Sequence, residues 1–107
     1  MNDENSLKIV KLISSAGAAR SNYIEAIQKA KADKFMEAQE LIEEGESFFV
    51  EGHKLHAELI SNEAAGKGME VSLLFVHAED HMISAETTKI LAEEIISLYE
   101  RLKEKFC

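Results

Sequence analysis

The amino-acid sequence predicts an all-α protein, an antiparallel three-helix bundle with up-down-up topology. Three observations support this fold class: apolar residues recur at steps of three and four in three long segments, none of the 107 residues is proline, and no stretch alternates between polar and apolar residues. The length is typical of one domain, which we assign to residues 1–107. Because so small a domain buries only about two-thirds of the surface of its unfolded chain, association with further copies is also expected.

The first helix is expected from about Leu7 to Lys31, where apolar residues follow the helical period. Asn5 or Ser6 is positioned to cap the free backbone N–H groups at its start. Residues 16–19 are all small, so a neighbouring helix can approach this helix closely.

The second helix is expected after a short break at Ala32 and Asp33, with Asp33 as its N-cap. The helical period continues to about Glu63, where we place the end. Gly45 and Gly52 fall inside this segment and mark its middle as the place for a kink.

The third helix is expected from about Glu70 to Lys105, after a loop over residues 64–68 that contains two glycines. Its start is apolar on nearly every face. The residues concerned are Val71, Leu73, Leu74, Phe75 and Val76. A helix that is apolar all round is typically buried, so we expect this segment to lie in the core.

The charge and the cysteine content exclude several classes of protein. The net charge is −8 and acidic residues are interleaved with basic ones, so the basic stripe of a nucleic-acid-binding protein is missing. The one cysteine, Cys107, cannot form an intrachain disulfide, which favours a reducing compartment and a cytoplasmic location. The acidic N-terminus and the lack of an apolar run near ~20 residues predict neither a signal peptide nor membrane insertion.

Two seams with heptad spacing run along the third helix. One is polar in its middle. The other is mainly apolar, and Asp80 is its only carboxylate, whose charge there requires a partner or a metal. The first contains Leu74, His77, His81, Ser84, Thr88, Leu91, Ile95, Leu98 and Leu102, and the second contains Leu73, Val76, Asp80, Ile83, Thr87 and Ile90. His77, Asp80 and His81 therefore share about one turn of helix.

This histidine cluster is the only candidate site in the sequence. A neutral imidazole is a nucleophile suited to phosphoryl capture near neutral pH when a neighbour fixes its tautomer. Spacing alone leaves two alternatives open: the pair fills a polar layer of the bundle, or it binds zinc with further ligands from His53 and His56. Because Glu-x-x-His pairs, a Ser/His/Asp elbow, a glycine-rich phosphate loop and a cysteine knuckle are all missing, di-iron, hydrolase and nucleotide-binding classes lack support.

The stretch from Leu73 to Met82, LLFVHAEDHM, resembles the signature of the lactose/cellobiose-specific IIA components of the sugar phosphotransferase system (PTS). That signature reads roughly Leu-Leu-x-x-His-Ala-Gln-Asp-His-Leu. Residues 13–21, ISSAGAARS, are similar to the family's first-helix segment, and residues 35–38, FMEA, to the start of its second helix. The resemblance therefore covers most of the chain, in order.

The resemblance implies a fold, a function and roles for three residues. It implies a three-helix subunit that assembles as a homotrimer. By resemblance, His77 is the phosphoryl acceptor: it takes the group from HPr and passes it to IIB, which is linked to the membrane component IIC, during uptake of a beta-glucoside-type disaccharide (lactose, cellobiose or chitobiose). His81 is a supporting residue, and Asp80, in three copies at the trimer axis, holds Mg²⁺ or another divalent cation.

Two positions depart from the family pattern. Glu79 stands where the family usually has glutamine, and a carboxylate close to a phosphorylated imidazole would add repulsion. We expect Glu79 instead to be a solvated acid on the helix face. His56 also stands where relatives have glutamine, and the sequence assigns it no role.

Two alternatives to an active carrier follow from the same residues. One is a non-enzymatic helical interaction or metal-binding module that uses the cluster of His77, Asp80 and His81. The other is a family member reused as a regulator, which would accept a phosphoryl group without passing it on. Acid-labile phosphate on histidine would eliminate the first.

Overall fold

The computed structural model describes residues 3–106, which form three α-helices and no strand. The helices are α1 (Asp3–Lys31), α2 (Phe35–Ala64) and α3 (Leu73–Phe106). They pack side by side in a rod with principal extents of 58 × 20 × 18 Å. The predicted all-α bundle of three helices is therefore confirmed.

Met1, Asn2 and Cys107 lie outside the described residues, and the expectations about a signal peptide and about the lack of an intrachain disulfide refer in part to them. Within the described part of the chain, no helix combines the length and the apolar character that a membrane span requires.

The up-down-up topology makes α1 and α3 parallel to each other. Asn5, near the start of α1, lines a small cavity together with Phe75, near the start of α3. Just beyond the other end of α1, Asp33 forms an ion pair of 3.5 Å with Lys103, near the end of α3. Equivalent ends of α1 and α3 therefore lie at the same end of the bundle.

The core is built mainly from small side chains, which allow the three helix backbones to approach one another. Its largest fully buried side chains are Tyr23, Ile9 and Leu12, all on α1. The buried apolar residues are Ile9, Leu12, Ala16, Ala19, Tyr23, Ala26, Ala30, Ala38, Ile42, Leu59, Ala78, Met82, Ala85, Ala92 and Ile96. The small run predicted on the first helix thus supplies two of the buried alanines.

Two glycines of α2 mark the places where its neighbours come closest. A Cβ atom added at Gly45 would lie 2.6 Å from Cε1 of Tyr23, and one added at Gly52 would lie 3.3 Å from Sδ of Met82. The helix runs without interruption from Phe35 to Ala64 through both positions. The two glycines therefore allow the neighbouring helices to pack closely against α2.

The expected helix caps on α1 and α2 are wrong. The described part of α1 already begins at Asp3, so Asn5 and Ser6 lie inside the helix. Asp33 adopts a left-handed conformation with φ of 65°, and the N-cap of α2 is Lys34, which makes no side-chain capping hydrogen bond. A residue at φ near +65° completes the turn between the helices, a conformation that aspartate tolerates better than most residues.

The third helix begins at Leu73, three residues later than the sequence suggests, and the N–H of Phe75 donates a hydrogen bond of 3.2 Å to Oγ of Ser72. Such a bond satisfies a free donor in the first turn. The expectation that this start is buried is wrong within one chain, because Leu73 is 86% exposed and Val76 is 50% exposed.

The exposed, mainly apolar seam along the first half of α3 forms a surface that we call the outer face. This outer face consists of Leu73, Val76, Asp80, Ile83, Thr87 and Ile90. The opposite side of α3 carries Ala78, Met82, Ala85, Ala92 and Ile96, which are buried against the other two helices. One chain thus covers only one of the two apolar sides of α3.

Candidate functional site

The two histidines predicted as a pair do lie together on α3. Nε2 of His81 is 3.0 Å from Nε2 of His77, and the ring centroids are 4.3 Å apart with an interplanar angle of 75°. One nitrogen must therefore donate a proton and the other must accept it. His77 is exposed, whereas His81 is half-buried, so the two rings differ in their access to a partner.

The packing of α3 and a glycine of α1 position this histidine pair. Ala78 and Met82 are buried in the core, which fixes the rotation of α3 and places His77 at the edge between its buried and outer sides. A Cβ atom added at Gly17 would lie 3.9 Å from Nδ1 of His81. The backbone of α1 at Gly17 is therefore one wall of the site.

Glu79 lies on a different side of α3 and pairs with α2. Its Oε1 is 2.6 Å from Nε2 of His56, and both side chains are partly buried. The expectation of a freely solvated Glu79 is therefore wrong. His56 and Glu79, the two residues that replace glutamine of the family pattern, therefore contact each other. Because they are 23 positions apart, no local spacing in the sequence predicts this contact.

Asp80 is exposed on the outer face, between Val76 and Ile83, as the heptad seam predicts. It has no ion pair with any residue in the range 3–106. A single chain therefore offers one carboxylate in a mainly apolar row, and no side chain among residues 3–106 supplies its counter-charge.

The zinc interpretation fails on the geometry of the other histidines. His53 is exposed and stacks on Phe49 with ring centroids 6.2 Å apart, while His56 is engaged by Glu79. Among the described residues, no group of three or more His, Cys, Asp or Glu side chains is arranged to hold a metal ion. The histidines of one chain do not assemble a zinc site.

The fold and the site define a class of protein: a small all-α bundle with an exposed histidine, His77, whose ring lies within hydrogen-bonding distance of a second histidine. The family model of the PTS lactose/cellobiose-specific IIA subunit matches residues 7–100. The chain belongs to this family and is therefore a phosphotransferase component of a sugar phosphotransferase system.

Two characterised relatives resemble the chain over nearly its whole length. The lichenan-specific phosphotransferase enzyme IIA component of Bacillus subtilis is 40% identical over 105 residues, covering 98% of this chain and 96% of the relative. The lactose-specific EIIA component of Streptococcus mutans is 32% identical over 99 residues, with coverage of 92% and 95%. Both comparisons extend over all three helices.

Solved structures support the same assignment. The cellobiose-specific enzyme IIA of Bacillus anthracis superposes with a TM-score of 0.94 at 40% identity, covering 98% of this chain and 96% of that one. The IIA(Chitobiose) protein of Escherichia coli, solved in complex with HPr, has a TM-score of 0.81 at 31% identity, with coverage of 95% and 99%. The three-helix architecture is thus shared with IIA components of several sugar specificities.

Proposed function

We propose that the chain is the cytoplasmic IIA phosphocarrier of a branch that takes up a beta-glucoside-type disaccharide. In this role His77 accepts a phosphoryl group from phospho-HPr and passes it to the IIB component, which serves the membrane component IIC. The observation that carries the proposal is the exposed His77 ring, whose Nε2 lies 3.0 Å from Nε2 of His81. The Escherichia coli relative in complex with HPr supports HPr as the donor.

The hydrogen bond between the two rings suggests which nitrogen reacts. If Nε2–H of His81 donates to Nε2 of His77, then His77 carries its own proton on Nδ1 and Nε2 holds the free electron pair. That nitrogen attacks phosphorus, the bond from phosphorus to its donor atom in phospho-HPr breaks, and the donor atom keeps the electron pair. His81 acts as a positioning residue before the transfer, and its N–H is then beside the new phosphoryl oxygens.

We also propose that three chains assemble through the outer face of α3. Its residues alternate in steps of three and four, which is the heptad spacing of a coiled coil, and Ile83 is 61% exposed and Ile90 57% exposed in one chain. One core position of the repeat is occupied by Val76, Ile83 and Ile90, and the other by Leu73, Asp80 and Thr87. The isoleucines would supply the apolar contact, while a polar residue at a core position restricts the register and the number of chains.

In such a trimer Asp80 would hold a divalent cation. One chain supplies a single carboxylate there, but three copies around an axis would bring three oxygen donors together, a ligand set that suits Mg²⁺. Without a cation the three carboxylates would repel one another. We therefore expect Mg²⁺ to raise the melting temperature of the wild type, EDTA to lower it, and Asp80→Asn to lose both responses.

The test of the carrier function uses enzyme I, HPr and phosphoenolpyruvate, with intact mass before and after acid treatment. The wild type should gain one acid-labile phosphoryl group, and His77→Ala should gain none. His81→Ala should still be phosphorylated, but about tenfold more slowly, because a hydrogen bond to a charged group is lost. His53→Ala, which alters an exposed histidine of α2, is the matched control and should behave as wild type.

Two results would contradict the proposal. One is an unphosphorylated wild type in the presence of proven phospho-HPr. The other is a His77→Ala variant that gains the same acid-labile group as the wild type. Addition of IIB to the isolated phosphorylated chain then separates a carrier, which loses the group to IIB, from a regulatory relative, which keeps it.

A further inference from the structure

Helical spacing places Arg20 on the side of α1 that borders the histidine pair. Gly17 forms the wall beside His81, and Arg20 follows it by three residues on the same side of the helix. Three residues correspond to a rise of about 4.5 Å along the helix axis. Arg20 is exposed, so its guanidinium group is accessible to a group that is bound at the site.

The direction of α1 favours an approach of Arg20 to His77. Side chains on a helix lean toward its N-terminus, so the long stem of Arg20 is directed back toward the level of Gly17. Because α1 and α3 are parallel, this is also the direction from His81 to His77 on α3. The reach of an arginine side chain is sufficient to cover one helical turn.

The ion pairs of α1 leave Arg20 available. Lys8 pairs with Glu58 at 3.7 Å and Lys29 with Glu37 at 4.0 Å, but Arg20 has no ion pair with any residue in the range 3–106. Lys11, also without one, lines the surface between α1 and α2 instead. Arg20 is thus the unpaired cation of α1 that borders the histidine pair.

We propose that Arg20 donates hydrogen bonds to the phosphoryl group on His77 and offsets its charge. The inference rests on the proposed carrier function and adds a residue to its site. A planar guanidinium presents parallel N–H donors that match two phosphoryl oxygens, whereas a lysine offers only a point charge. In a chain whose net charge is already −8, a local cation favours the added negative charge of the phosphoryl group.

The experiment measures the equilibrium between phospho-HPr and this chain at a fixed ratio of phospho-HPr to HPr. Arg20→Gln should lower the equilibrium constant for phosphorylation about tenfold or more, and Arg20→Lys should recover part of the loss. Lys54→Gln removes one positive charge from an exposed position of α2 and should stay within about twofold of the wild type. Melting curves verify that the variants are folded.

A second measurement requires no substitution. The Nε–H resonance of Arg20 should shift when His77 of the wild type is phosphorylated. The inference is overturned if that resonance does not move, or if Arg20→Gln matches Lys54→Gln in its phosphorylation equilibrium. A wild type that accepts no phosphoryl group overturns the carrier function itself, which is a different result from a phosphorylated wild type with an indifferent Arg20.

Discussion

The contact between α1 and α2 and the outer face of α3 are both rich in apolar side chains, but one chain completes only the first. Gly45 lets Tyr23 come so close that no Cβ atom fits between the helices. On the outer face, Ile83 and Ile90 are both more than half exposed. Hydrophobic periodicity therefore identifies surfaces that must be covered, without identifying the chain that covers them.

The largest effect should come from charging the outer face. The double substitution Ile83→Lys and Ile90→Lys should reduce the assembly from three chains to one, because two positions would place several like charges in an apolar interface. Light scattering after size exclusion measures the mass against the 12.0 kDa of one chain. Glu86→Lys, at an exposed position of α3 off this face, is the control. A monomeric wild type would show that the proposed interface does not form.

The next effect tests the contact between α1 and α2, which one chain completes. Gly45→Ala should destabilise the protein by about 1–2 kcal/mol, because the cost of overpacking against the buried Tyr23 ring exceeds the gain in helix propensity. Gly17→Ala meets only Nδ1 of His81 at 3.9 Å and should be neutral or stabilising. Urea unfolding at matched protein concentration measures both. Equal stabilisation by the two alanines would show that the α1 and α2 backbones are free to move apart.

The ionisation of Tyr23 tests whether the contact between α1 and α2 excludes water. Burial, with the nearby Glu46 and Glu93 carboxylates, raises the pKa of Tyr23 above its ordinary value of 10.0. Above that pH the unfolded chain releases the proton while the folded chain keeps it, so stability falls as pH rises. Between the pKa of Tyr23 in the unfolded chain and its raised pKa in the folded chain, this lowers the free energy of unfolding by about 1.4 kcal/mol per pH unit. The Tyr23→Phe variant should therefore lose less stability at alkaline pH than the wild type. An identical pH dependence of the two unfolding free energies would contradict the exclusion of water from Tyr23.

The smallest effect concerns the link between the two regions, where His56 of α2 meets Glu79 of α3. A double-mutant cycle with His56→Gln and Glu79→Gln should give a coupling free energy of about 1 kcal/mol, because the bond is charge-assisted and partly buried. Each substitution made alone should lower the free energy of unfolding by more than the same substitution made when the other is already present. Additive losses would indicate that the two side chains do not interact in solution.

The sequence predicts the three helices because each carries a long apolar period, and it predicts the contact between His77 and His81 because they are four residues apart on one helix. It placed Asp33 at a helix cap because aspartate favours that position, whereas the structure uses it in a left-handed turn. Aspartate is favoured both as an N-cap and in turns with a left-handed residue, so its local preference does not distinguish these two roles.

Contacts between distant residues could not be predicted. Glu79 looked like a solvated acid because its helical neighbours give no sign of His56, which lies on another helix. Arg20 was not singled out as a site residue, although it belongs to the segment that resembles the family's first helix. The proposal for Arg20 depends on which side of α1 faces α3, and only the packed bundle, through the approach of Gly17 to His81, defines that side.

The most direct test of the carrier mechanism is the ³¹P NMR spectrum of the chain after phosphorylation by phospho-HPr. We predict one phosphoramidate signal of an Nε2-phosphohistidine, present in the wild type, absent in His77→Ala, and lost when IIB is added. A spectrum without such a signal, or one that persists in His77→Ala, would contradict the assignment of His77 Nε2 as the phosphoryl acceptor.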